Sequence, residues 1–95
     1  MLVINLHFPD AGSLKGKRKE LSSIKAQLSG RLGVAVSETG YQDLWQRARL
    51  TAALTGGSLR RLAAATDEVE RWILSRCPEG ASVERLVASV EDLRG

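Results

Sequence analysis

The sequence holds a single cysteine, Cys77, and a single histidine, His7. One thiol excludes an internal disulfide and any cysteine-based metal cluster, including the Cys-x-x-Cys pair of copper carriers. Such a chain suits a reducing interior, and a cytoplasmic location is expected. Aromatic residues amount to 4% of the chain, and only Phe8, Tyr41, Trp45 and Trp72 supply them. Prolines are two, Pro9 and Pro78. No long hydrophobic run occurs. The stretch Leu2 to Phe8 is interrupted by Asn5 and His7, so it reads as neither a signal peptide nor a membrane span. No membrane partner is expected. His7 has no serine or cysteine nucleophile beside it in sequence, and no catalytic or metal-ligand grouping is legible. The expectation is therefore a protein that binds rather than catalyses, with no cofactor and no metal.

The residues that are present describe an ordinary globular chain. Hydrophobic residues make up 43% of its 95 positions and charged ones 26%. That composition argues for one folded domain over residues 1–95, small enough that self-association would add useful burial. Charge is unevenly placed. Residues 13–31 carry Lys15, Lys17, Arg18, Lys19, Lys25 and Arg31 against Glu20 alone. Residues 63–95 carry four arginines against seven acids. A positive patch on one end or face follows from this separation.

Leu2, Ile4, Leu6 and Phe8 alternate with Val3, Asn5 and His7, which is a strand with one face in the core. Ser13 is placed to cap a helix whose apolar positions are Leu14, Leu21, Ile24, Leu28 and Leu32, stopped by Gly33. Residues 34–38 read as a second strand, with Val34 and Val36 inward. Residues 47–55 read as a third, with Ala48, Leu50, Ala52 and Leu54 inward. Gly56-Gly57 turns the chain and Ser58 caps a second helix bearing Leu59, Leu62, Thr66, Val69 and Ile73, with Cys77 on the same stripe. Pro78-Glu79-Gly80 ends it. A last strand is expected from about Ser82 to Val90, with Leu86, Ala88 and Val90 as its inner face.

The order βαββαβ, with one apolar stripe per helix, predicts an α+β fold of ferredoxin-like type. This is a four-stranded antiparallel sheet in order 4-1-3-2 with two helices on one face. It brings the loop after the first strand beside the hairpin between strands two and three. Two segments then meet: Ser13-Leu14-Lys15-Gly16-Lys17-Arg18, and Tyr41-Gln42-Asp43-Leu44-Trp45-Gln46-Arg47-Ala48.

Those two segments together resemble the bacterial YlxP-like family, and the resemblance extends over nearly the whole chain. It implies the same fold in a small cytoplasmic protein, encoded near genes for translation initiation and ribosome maturation. By association it implies ribosomal RNA or the ribosome as partner. It implies no chemistry.

The residues support a phosphate seat at that end. Lys15, Lys17 and Arg18 crowd a helix start, where the helix dipole disfavours cations, and Arg47 enters from the neighbouring strand. Trp45 either stacks on a base or folds back to pin the loop. Ser13, Asp43 and Gln46 are expected to structure the loops, Asp43 by bonding the loop backbone or pairing with Lys17 or Arg18. The expected outer sheet positions, Val3, Asn5, His7, Arg47, Arg49, Thr51 and Ala53, include no aromatic, so the stacking platform of an RNA-recognition motif is absent from the strands. The alternative reading is a homodimeric interaction module using the open sheet face or an edge strand. A further one is an enzyme or sensor for a small anionic ligand at the same loop end.

Overall fold

A computed structural model describes residues 1–78 and 80–94. The turn expected at Pro78-Glu79-Gly80 therefore has its middle residue outside the described residues. The chain runs β1 (Leu2–His7), α1 (Leu14–Leu32), β2 (Ala35–Gly40), β3 (Arg47–Ala53), α2 (Leu59–Arg76), β4 (Ala81–Arg85) and α3 (Val90–Arg94). The strands form one antiparallel sheet in order β2-β3-β1-β4, which is 4-1-3-2 read from the other edge. This is an α+β fold with an open sheet. No helix among the described residues is long and apolar enough to cross a membrane.

The helix ends follow from local chemistry. Ser13 and Ser58 have extended backbones, and each hydroxyl accepts a bond from the N–H three residues on, Gly16 and Arg61. Gly33 ends α1 at φ 65°, a left-handed angle that glycine takes without penalty. Its N–H and that of Val34 both donate to the Leu28 carbonyl. Both long helices cover one face of the sheet. Leu21, Ile24 and Leu28 of α1 and Val69 and Ile73 of α2 form one buried cluster with Leu2, Ile4, Leu6, Ala48, Leu50 and Ala52. Thr66 sits in the α2 stripe because its hydroxyl is satisfied by the Leu62 carbonyl, 2.8 Å away.

The end of the chain corrects the expectation. β4 stops at Arg85, and its register pairs Leu2 with Arg85, Ile4 with Val83 and Leu6 with Ala81. Ala81, Val83 and Arg85 therefore take the helix side, and Leu86, Ala88 and Val90 do not line the core. A shift of one residue exchanges the two faces of a strand, and the apolar run after Arg85 concealed the true parity. Arg85 is tolerated on the inner side because it reaches Asp67 at 2.7 Å and Glu70 at 2.5 Å on α2. Pairing with β1 ends where Leu86 N–H donates to the Met1 carbonyl. A third, short helix follows. The Ser89 hydroxyl accepts from Asp92 N–H, and the Asp92 carboxylate accepts from Ser89 N–H. Leu86, Val87, Val90 and Leu93 remain exposed.

Those bonds, the Ser89 backbone first and its side chain second, hold the Asp92 carboxyl below its ordinary range. A carboxyl lowered in the folded state adds stability above its unfolded value and loses it as pH falls through the folded one. The amide signals of Val90 to Arg94 should therefore lose dispersion in acid before those of the sheet do. Simultaneous loss in an NMR pH series would contradict this.

Candidate nucleic-acid interface

The site is built from the start of α1 outward. Successive helical residues rotate by about 100°, so the inward stripe at Leu21, Ile24 and Leu28 continues backward to Lys17 and Leu14. The gap of seven between Leu14 and Leu21 in the apolar pattern conceals an inward position, and Lys17 fills it. Lys17 is 1% exposed. Its Nζ donates to the Tyr41 carbonyl and stands 3.5 Å from Oε2 of Glu38. That oxygen is buried and has no hydrogen-bond donor among the described residues. Glu38 points inward because it pairs with Leu50 in the β2–β3 register. Lys17 is thus corrected from a phosphate ligand to a buried latch between helix and hairpin.

Lys15, Arg18 and Lys19 are exposed on the outer side of the same turns. They form no ion pair among the described residues, whereas Glu20 is held by Arg76 at 3.0 Å. Behind them, between the β1–α1 loop and the end of α2, lies an open groove of about 640 Å³ with Phe8, Pro9, Lys19 and Cys77 in its wall. Burial pushes the Cys77 thiol above its ordinary value, with Arg76 opposing, so the thiol stays protonated at neutral pH.

The hairpin takes its shape from three features. The register slips between Glu38 and Gly40, a bulge that leaves one residue of β2 unpaired. Tyr41 follows at φ 59°, a left-handed angle uncommon for a large side chain. Its carbonyl then accepts Leu44 N–H at 3.1 Å as well as the Lys17 ammonium. The Gln46 side chain reaches the Pro9 carbonyl at 3.5 Å, and its own carbonyl accepts Phe8 N–H at 2.8 Å, so the two loops are joined. Gln42 caps the Glu38 carbonyl at 3.4 Å. With the bulge and the inward Glu38, this blunts β2 as an edge for strand addition. The Asp43 side chain is exposed and bonds to nothing among the described residues, which corrects its expected role in structuring the loop. Leu44 and Trp45 stand out at the tip, Trp45 at 50% exposure.

Arg47 does not join Lys15 and Arg18 on one face. Ala48 and Leu50 point to the helices, so Arg47 and Arg49 point to the opposite, open face. There both guanidinium carbons lie over the Tyr41 ring, 5.2 Å and 5.0 Å from its centroid. Arg49 also donates to Asn5 Oδ1 at 3.2 Å and to the Tyr41 hydroxyl at 3.3 Å. Gly40 leaves room for this, since a Cβ there would stand 3.2 Å from the Arg49 Cβ. The strands themselves supply no aromatic to the open face, but the hairpin does. Sequence reasoning missed Tyr41, Arg49 and Asn5 as a group. The signal available was a glycine and a tyrosine at the hairpin entry, six residues before an arginine pair. Exposed His7 lies opposite Arg47 in the β1–β3 register. Among the described residues no group of His, Cys, Asp and Glu converges as metal ligands.

These features define a small α+β protein whose hairpin end is cationic on both sides and carries two exposed or half-exposed aromatic rings. The chain belongs to the family described as "Protein of unknown function (DUF503)", whose model matches residues 1–91. It is 40% identical over 74 residues to "Uncharacterized protein YlxP" of Bacillus subtilis (strain 168), covering 67% of this chain and 80% of that one. No solved structure matches it.

Proposed function

We propose that this protein binds RNA through its hairpin end, on a framework of ferredoxin-like type. One observation carries the reading. Lys15, Arg18, Lys19, Arg47 and Arg49 lie toward the hairpin end of the molecule, on its two faces, and form no ion pair among the described residues, and the hairpin tip carries a Trp45 that is half in solvent. The βαββαβ core with this strand order supports the framework.

Phosphate contacts make affinity fall with salt, by a logarithmic slope of about 0.7 per phosphate neutralised on a single strand. With Lys15, Arg18 and Arg47 engaged, raising salt about fourfold weakens binding by about 10- to 20-fold. Fluorescence anisotropy with labelled ribosomal RNA fragments reads this directly. Reversing Arg18 and Arg47 to glutamate should flatten the slope as well as weaken binding. Binding that is absent, or indifferent to salt, would sink the proposal.

Self-association is a second reading, favoured by the exposed Met1, Leu86, Val87, Val90 and Leu93 at the opposite end of the sheet. Sedimentation of the free protein over a rising concentration series separates it from the first.

A further inference from the structure

We infer that Tyr41, Arg47, Arg49 and Asn5 form a site on the open sheet face for an unpaired RNA base and its adjoining phosphate. This rests on the RNA-binding reading above and adds to it the state of the strand that is bound.

The first observation is conformational. Tyr41 is held at a left-handed backbone angle, and sustained strain of that kind concentrates at binding positions. Two donors fix its carbonyl, the buried Lys17 ammonium and Leu44 N–H. The strain places the ring on the open face rather than in the core.

The second is the division of labour between the arginines. Arg49 is tied to Asn5 and to the Tyr41 hydroxyl, so it is a positioning residue. Arg47 is exposed and makes neither hydrogen bond nor ion pair with any side chain among the described residues. Two guanidinium groups lie over one ring, and among those residues no carboxylate comes within 4.0 Å of either, which leaves local positive charge unpaired. A phosphate balances it and matches the guanidinium fork.

The third is shape. Bases that proteins read in RNA stack on aromatic rings or on guanidinium planes. A ring with an arginine over it offers such a plane. A base inside a duplex has both faces covered, so only an unpaired base can use it. The neighbouring open-face positions Val3, Ser37, Thr51 and Ser82 are short side chains, and the acid on that face, Glu84, stands opposite Val3, one pair beyond the Asn5–Ser82 position, which limits the site to the hairpin end.

The test is anisotropy with a short labelled single-stranded RNA, and with the same RNA annealed to its complement. The proteins are the unmodified chain, Tyr41→Asn and Arg47→Ala. Asparagine tolerates the left-handed angle, so Tyr41→Asn keeps the turn and removes the ring. Arg47→Ala alters an exposed side chain and leaves folding intact. Single-strand affinity should fall about tenfold in each variant, while duplex affinity stays unchanged in Tyr41→Asn and falls less than single-strand affinity in Arg47→Ala, which loses one phosphate contact on either form. Tyr41 is the only tyrosine, so fluorotyrosine-labelled protein gives one fluorine resonance. It should shift with the single strand and stay still with the duplex. Intact binding of the unmodified chain with no loss in either variant overturns the open-face site and leaves the RNA reading standing. Equal losses on both RNA forms overturn the claim for an unpaired base. No binding of either RNA by the unmodified chain overturns both.

Discussion

Lys17→Met lowers the unfolding free energy by about 3–5 kcal/mol, the range seen when one partner of a buried ion pair is removed. Methionine keeps most of the stem and has a helix propensity close to that of lysine, so neither packing nor helix formation explains the loss. The loss comes from what stays behind. Glu38 Oε2 is buried with the Lys17 ammonium as its charged neighbour at 3.5 Å, and the Tyr41 carbonyl loses one of two donors. Because the Glu38 side chain is 22% exposed, it can relax toward water, and the lower half of that range is expected. For a chain of this size each kcal/mol moves the midpoint by about 4–8 °C, so thermal unfolding should shift by more than 10 °C. The double variant Lys17→Met/Glu38→Gln should recover part of it, since no buried charge remains. A Lys17→Met protein within about 0.5 kcal/mol of the parent would mean that the latch carries no weight.

The second large effect lies in the central row of the sheet. Ile4 stands between Leu50 of β3 and Val83 of β4 in register, fully buried beneath the two helices. Ile4→Ala should cost about 2–5 kcal/mol, the transfer of the lost methyl groups plus the cavity they leave. Val3 is its neighbour in sequence but points to the open face, and Val3→Ala should cost under about 1 kcal/mol. Chemical denaturation with unchanged m-values reads both. Equal costs would show that the open face is covered in solution, which would shift attention to self-association through it.

Much of the fold was legible because it is written over short distances. The caps at Ser13 and Ser58 and the stop at Gly33 each need only three or four residues to act. The stripes of α1 and α2 and the alternation of β1 and β3 need only a regular period. The site was less legible. Lys17 belongs to a basic cluster in sequence, and only the helical period separates it from Lys15 and Arg18. Its partner, Tyr41, lies 24 residues away. Asp43 and Gln46 looked alike as loop-forming polar residues. The closeness of Pro9 gave Gln46 a partner, and nothing among the described residues gave Asp43 one.

By itself, then, the sequence determined the element order, the buried face of α1, α2, β1 and β3, and the basic character of one end. Local hydrogen bonds and side-chain period suffice for these. Only the tertiary structure decided the parity of β4 and the partners of Lys17, the Glu38 carboxylate and the Tyr41 carbonyl. Each depends on register between strands distant in sequence, and a slip of one residue there would reverse the outcome. It also decided that the ring of Tyr41 lies on the open face, because a bulge, a left-handed turn and a buried ammonium had to coincide to put it there.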